Sequence, residues 1–399
     1  TVSVMVTNTG NTFAGREVVQ VYLSAPEGEL EKEYQSLAAF AKTRELACGD
    51  SQLMQLTFDL RNMASYSEQK AQYLLEKGNY ILRVGNSSRN TTVAAVLQLD
   101  EAVTVSRLRN CCSAEHVIQS CHHQGFPMEE IPSGIQVIRL DAEMIAERIE
   151  YAEPFVTESL QEKELLDSLT EKEMASLVIG GDLRSKPVGT HEVLGAGGKT
   201  ATGLVHKGIS NAVFSDGPAG INISNEVRYY GNGEFGAARV PERYNWGMMG
   251  KMAARNIRQD GKMVYRFATA WPVEMLLAQS WNIELLEQIG MAVAEEMKLF
   301  GITLWLAPGM NIHRNPLGGR NFEYYSEDPL ITGKMAAAIT RGVQSRKETG
   351  TVIKHFCCND AENNRNHSSS NVDERALREI HLRGFEIAVR ESQPKAVMS

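Results

Sequence analysis

Apolar and polar residues alternate from the second position onward. Val2, Val4 and Val6 share one face of a period-2 pattern that stops at the turn NTG. EVVQVYLSA repeats the pattern with Val19, Val21 and Leu23, and SQLMQLTFDL and GNYILRVGNSS continue it, with Gly, Asn and Ser at the breaks. Short strands at such regular spacing predict an all-β sandwich over residues 1–105. Over 106–162 the rhythm loosens. Pro127, Pro132 and the charged segment DAEMIAERIEYAE predict a linker that wraps between domains.

From residue 163 the period lengthens to that of a helix. KELLDSLTEKEMASLVIGG places Leu165, Leu169, Met174 and Leu177 on one stripe. A longer helix, capped by Asn282, runs through IELLEQIGMAVAEEMKLFG with Ile283, Leu286, Val293, Met297 and Phe300 inward. Short apolar runs alternate with these helices: NAVFSD, ITLWL, TVIKHF and KAVMS read as strands, and helices follow at 329–345 and 372–391, the second with Leu377, Ile380 and Ile387 inward. Strand–helix alternation predicts parallel βα units, here part of a (β/α)8-type barrel over 163–399. Residues 222–268 break the alternation and read as an insertion or long loop; GNGEFG within them reads as a flexible loop.

Composition narrows the class. The 399 residues suffice for two or three cored domains, and 43% hydrophobic with 23% charged residues is ordinary for a globular protein. A net charge of −8, without a basic tract, excludes a nucleic-acid footprint. No apolar run has the length of a membrane span. The first strand begins partway and the chain stops just after an apolar run, so both ends read as cut and targeting is not legible. Cysteines at 48, 111, 112, 121, 357 and 358 include two adjacent pairs, which do not make a secreted disulfide framework. They indicate reduced thiols and a cytoplasmic setting.

In parallel βα folds the chemistry gathers where the strands end. Asp216 ends NAVFSD; Arg320 and Glu323 follow ITLWL; Lys354 and His355 end TVIKHF; Asn359, Glu362 and Arg365 come next. Carboxylate acceptors and cationic donors on one face suit the vicinal hydroxyls of a sugar ring. Plainer roles compete. Asp216 before Gly-Pro is equally a turn residue, and Arg320 and Glu323 either bind a ligand or pair with each other. Asp328-Pro329 reads as a helix start, with Asp328 as N-cap. Lys354 and His355 need a partner, because two basic groups closing an apolar strand are costly unpaired. CCSAEHVIQSCHH (111–123) holds three Cys and three His but lacks paired C-x2-C spacing, so no metal site is expected there. Cys357 and Cys358 are either reactive thiols or small residues packed behind a strand end.

LAPGMNIHRNPLGGRNFEYYSEDP, TVIKHFCCNDAENNR and VDERALREIHLRGFEIAVRE closely resemble the barrel domain of glycoside hydrolase family 3, β-glucosidase branch, and SDGPAG and VIGGD fit the same domain. AGREVVQVYLSAPEG, LEKEYQSLAAFAKT and GNYILRVGNSS resemble the fibronectin type III-like domain of those enzymes. The resemblance covers most of 1–100 and 165–399. A fibronectin-like domain placed first resembles the permuted domain order, in which an α/β sandwich lies further upstream.

The resemblance implies retaining hydrolysis of terminal β-glucosides by double displacement, without a cofactor. By motif match, Asp216, Arg320, Lys354 and His355 bind the glycone, and Glu323 and Arg365 orient those donors. The nucleophile and the acid/base are expected outside this chain, which alone is then expected to be inactive. The loop CCNDAENNR argues against the N-acetylglucosaminidase branch. The expected partner is a small β-glucoside or oligosaccharide, with a homo-oligomer possible and neither nucleic acid nor membrane expected. Alternatives are a β-xylosidase of the same family, a non-catalytic carbohydrate-binding or scaffold protein, and a zinc-dependent module at 111–123.

Overall fold

A computed structural model describes residues 1–112, 131–146, 160–179, 198–200, 202–231, 234–238 and 258–399. The expected VIGGD match and the Cys/His segment fall largely outside them; of that segment only Cys111 and Cys112 are described.

The alternating N-terminal segments form the strands that their pattern predicts. β1 (Val2–Thr7) pairs antiparallel with β4 (Ser51–Leu56). β2 (Val18–Ser24), β3 (Ser36–Lys42), β7 (Gly78–Ser87) and β8 (Asn90–Leu99) make the body of a five-stranded sheet. Its fifth strand is β10 (Gln136–Arg139), which lies parallel to β8 and ties the segment beyond residue 105 to this sheet. A third sheet holds β5 (Ser65–Ser67), β6 (Gln72–Leu75) and β9 (Val103–Arg107). Val19, Val21, Leu23, Leu56, Leu75 and Leu99 pack into one core. β2 is buried on both faces, since Gln20 and Tyr22 are covered as well.

The expected helix at 163–181 is broken in two, α1 (Leu160–Asp167) and α2 (Glu171–Ile179). The break is a capping box. Thr170 donates its N–H to Glu173 Oε2 at 2.8 Å, and Glu173 N–H donates back to Thr170 Oγ1 at 3.3 Å.

The second sheet-forming region is mostly parallel. β12 (Val213–Asp216), β16 (Leu304–Leu306), β17 (Gly350–Lys354) and β18 (Ala396–Met398) lie side by side in that order, with the two-residue β11 (Gly198–Lys199) antiparallel at the edge. Helices α3 (Glu274–Gln279), α4 (Ile283–Phe300), α5 (Pro329–Val343) and α6 (Arg383–Ser392) connect these strands. Asn282 caps α4 through the N–H of Leu285, and Gly301 ends it in the left-handed conformation, φ 71°. Leu286, Val293 and Met297 are fully buried. α4 and α5 cross at Gly290 and Gly342, where any side chain would strike the facing backbone.

Two further expectations change. Ile380 is 40% exposed, not inward. Residues Leu377–His381 form a π-helical turn, and its extra residue rotates the stripe so that Leu377, His381 and Phe385 face in. The 222–268 region contains an antiparallel sheet of β13 (Glu226–Gly231), β14 (Glu234–Ala237) and β15 (Lys262–Tyr265), so most of GNGEFG is strand where a loop was expected.

The N-terminal sheets rest directly on this region. Tyr22 and Leu37 join the core of the parallel sheet and its helices. Phe40 meets Trp281 edge-on at 5.2 Å, and Lys42 Nζ donates to Ser280 O at 2.6 Å. At the helix that leads into α6, Glu374 accepts from the N–H groups of Cys111 and Cys112, while Glu379 accepts from the Tyr66 N–H.

Candidate active site

Asp216 is the last residue of β12 and Lys354 the last of β17, so parallel pairing through β16 brings both to one edge. Lys354 Nζ donates to Asp216 Oδ1 at 2.7 Å, across 138 positions of sequence, and stands 3.9 Å from Glu323 Oε2. The ammonium is almost completely buried, and Asp216 is the carboxylate that compensates it. Burial works to raise the Asp216 pKa, but the Lys354 hydrogen bond and charge, the Gly217 N–H and the Arg320 charge outweigh it and hold the carboxyl below its usual range. Asp216 still leaves 56% of its side chain open to solvent, with acceptor capacity to spare.

Arg320 and Glu323 do pair with each other, through Arg320 Nε and Glu323 Oε1. Arg320 Nη1 also lies 3.9 Å from Glu362 Oε1, and Glu362 in turn is 3.4 Å from Arg365 Nη1. The cations Lys354, Arg320 and Arg365 thus interleave with the carboxylates Asp216, Glu323 and Glu362. Pairing within this row does not exclude ligand binding, because each guanidinium carries five N–H donors and the pairs fix their direction.

His355 carries no charge here. Burial first, then the Arg320 and Lys354 charges, push its imidazole down to about 3 against the pull of Asp216. Its ring is fixed by Tyr324, whose hydroxyl lies 3.1 Å from Nδ1. Asn311 clamps its main chain, accepting from the His355 N–H at 2.8 Å and donating to the His355 carbonyl at 3.0 Å.

Asn311, Tyr324 and Glu274 were not legible as site residues. Glu274 reads in sequence as an ordinary acid in the first turn of a helix, yet it is fully buried and accepts from Gly309 N–H at 2.9 Å. Burial drives its pKa well above the usual range, and the Gly309 N–H and Lys354 only partly offset this. Burial thus favours the protonated form of a carboxyl whose charged neighbours are Lys354 and Glu323. Asp328 has the structural role expected of it: Oδ1 accepts from the N–H groups of Leu330 and Ile331 at 2.8 and 3.0 Å. Among the described residues no cluster of three or more His, Cys, Asp or Glu has the arrangement of a metal site. No helix among them is long and apolar enough to cross a membrane.

Comparison with known proteins gives two domain matches: residues 241–399 to the glycosyl hydrolase family 3 N terminal domain, and residues 17–88 to the fibronectin type III-like domain. The chain is 34% identical to beta-glucosidase A of Butyrivibrio fibrisolvens over 99% of its own length and 46% of that protein. It is 31% identical to a beta-glucosidase of Ruminococcus albus over its whole length and 39% of that protein. It spans less than half the length of these relatives. Among solved structures, a beta-glucosidase from Paenibacillus barengoltzii superposes with a TM-score of 0.72 at 31% identity, covering 99% of this chain and 41% of the other.

Proposed function

Residues 241–399 belong to glycosyl hydrolase family 3, and from that membership we propose that the site described above holds the terminal glucose unit of a β-glucoside during retaining hydrolysis. The four parallel strands are part of a (β/α)8-type barrel over 163–399, and residues 1–105 are a fibronectin type III-like sandwich joined to it by 106–162. Asp216 accepts hydrogen bonds from hydroxyls at the far side of the ring. Lys354, Arg320 and the neutral His355 hold the neighbouring hydroxyls, with Glu323 and Arg365 keeping the donors in register.

The observation that carries this reading is the 2.7 Å Lys354–Asp216 contact at the ends of two parallel strands. It fixes a buried cation beside a half-open carboxylate, the combination that donates to one hydroxyl and accepts from the next.

Double displacement needs a nucleophile and a separate acid/base carboxyl. Asp216 is held ionised by Lys354 and cannot act as an acid near neutrality; Glu323 is engaged by Arg320, and Glu274 is sealed beneath them. We assign neither role to these residues. The 399-residue chain is therefore expected to bind glucose, in a calorimetric titration, without hydrolysing an aryl β-glucoside. Turnover that disappears on Asp216→Ala would overturn the division of roles, and absence of glucose binding would overturn the site. The same titration with xylose reports whether Asp216 recognises the exocyclic hydroxymethyl group.

The charge state of His355 adds a prediction. An imidazole that titrates at about 3 is neutral throughout the physiological range, so glucose affinity should be flat between about pH 5 and 8. An inflection near 6.5 would show that His355 titrates as an ordinary histidine. The sign for stability is separate. Below about 6.5 the unfolded chain's histidine takes a proton that the folded one refuses until about 3, so this residue lowers stability progressively as pH falls through that window.

A further inference from the structure

Two residues past His355 the chain places two cysteines side by side, and the sugar site described above uses neither. Their sulfurs lie 3.6 Å apart, with the Cys358 thiol directed at Cys357 Sγ, and both are partly open to solvent. We propose that Cys357 and Cys358 are an oxidation site: a vicinal dithiol that a peroxide closes to a disulfide, weakening the adjacent glycone site. The second half rests on the functional reading given above.

Three observations support the pair as more than packing. First, the polarity of the contact is that of a nucleophile and its resolving thiol. The hydrogen bond from Cys358 pulls the Cys357 thiol down in spite of burial, whereas the Cys358 thiol is pushed up. Second, the segment is held at both flanks. His355 is clamped by Asn311 on one side; on the other, Asp360 is buried with its Oδ2 3.3 Å from His381 Nδ1. Third, the half-exposed Phe356 meets Phe385 edge-on at 5.3 Å, and the Cys358 carbonyl accepts from Ser370 Oγ at 3.0 Å. Bringing the sulfurs from 3.6 Å to a bond of about 2.0 Å must turn the backbone between Cys357 and Cys358. With the flanks pinned, that turn is passed to His355.

The chemistry balances with hydrogen peroxide as the named oxidant. The Cys357 thiolate attacks one peroxide oxygen, forming a sulfenic acid and releasing hydroxide, which takes up the proton lost from Cys357. The Cys358 sulfur then attacks the Cys357 sulfur; the S–O bond breaks, the S–S bond forms, and the Cys358 proton leaves with the oxygen as water. Two thiols lose two electrons in all, and one peroxide becomes two waters. Bridges between neighbouring cysteines are strained and hence readily reduced, as a reversible site requires.

The test treats the reduced full chain with hydrogen peroxide and digests it, after denaturation, with trypsin. Cleavage at Lys354 and Arg365 yields one peptide, 355–365, that holds both cysteines. It should be two hydrogens lighter, glucose affinity should fall by about tenfold, and dithiothreitol should restore both. Cys358→Ser should keep its glucose affinity through the same treatment. A 355–365 peptide of unchanged mass, or a disulfide with undiminished glucose affinity, would overturn the inference while leaving the sugar site standing. Failure of the reduced chain to bind glucose at all would instead overturn the functional reading and the coupling built on it. Because the wild-type oxidation and its reversal need no variant, the result does not depend on how Cys358→Ser folds.

Discussion

Replacing Asp216 with alanine is expected to weaken glucose binding by about a hundredfold, the loss of two charge-assisted hydrogen bonds of about 1.5 kcal/mol each. The same change strips Lys354 of its 2.7 Å partner and leaves, among the described residues, Glu323 at 3.9 Å to compensate a buried ammonium. A loss of about 1–3 kcal/mol in stability should accompany the loss of affinity, below the range for a fully buried pair because Asp216 is half open to water. Asp216→Asn separates the two effects, since it keeps an acceptor and removes only the charge; its affinity should lie between wild type and alanine. Titration calorimetry with a thermal melt of each variant checks both. A glucose affinity unmoved by Asp216→Ala would mean that the strand-end carboxylate faces no sugar.

The second large effect is on stability alone. At most exposed helical positions Gly→Ala stabilises by about 1 kcal/mol. At Gly342 the sign should reverse. A Cβ there would lie 2.1 Å from the Glu287 carbonyl oxygen and 2.9 Å from the Gly290 Cα, both backbone atoms that move only if the helices part. Gly290 has the same constraint from the other side, 2.3 Å from the Ile339 oxygen. Separating α4 from α5 forfeits packing along a fully buried face that includes Val293, Met297, Met335 and Ile339. Gly342→Ala is therefore expected to cost about 2–4 kcal/mol and to lower the melting temperature by several degrees. The double variant Gly290→Ala with Gly342→Ala should cost less than the sum, because one separation of the helices relieves both clashes. A melting temperature raised by Gly342→Ala would show that the helices do not cross there.

What the sequence made legible follows the range of the interactions concerned. Asp328-Pro329 could be read as a helix start because its partners, Leu330 and Ile331, lie within three residues. The pair Asp216 and Lys354 was legible only through the rule that parallel strands end on a common edge, since no local pattern links residues 138 apart. Asn311 and Glu274 were not legible, because their roles depend on which backbone group passes them: His355 in one case and Gly309 in the other. The misplacement of Ile380 has a different cause. A 3.6-residue stripe cannot register a π-helical turn, and one extra residue is enough to send Ile380 outward and His381 inward to Asp360. The break at Ser168–Thr170, by contrast, was written in the sequence. Thr170 followed by Glu173 is a start signal in the middle of an otherwise continuous stripe.

The seating of the N-terminal sheets bears on how the protein can be dissected. Glu374 and Glu379 each accept both from an arginine of their own helix and from N–H groups of the N-terminal sheets, those of Cys111, Cys112 and Tyr66, and the Trp281 indole meets Phe40 edge-on. The helix bearing those two glutamates continues into α6, whose Phe385 braces the strand-end loop at Phe356. Trimming away residues 1–112 would uncover Trp281 and leave Glu374 and Glu379 with only the arginines of their own helix, Arg378 and Arg375, among the described residues, on the helix that leads into the strand-end loop's support. The β-rich N-terminal sheets therefore act as a supporting wall of the neighbouring parallel-sheet region, and dissecting one from the other exposes that wall.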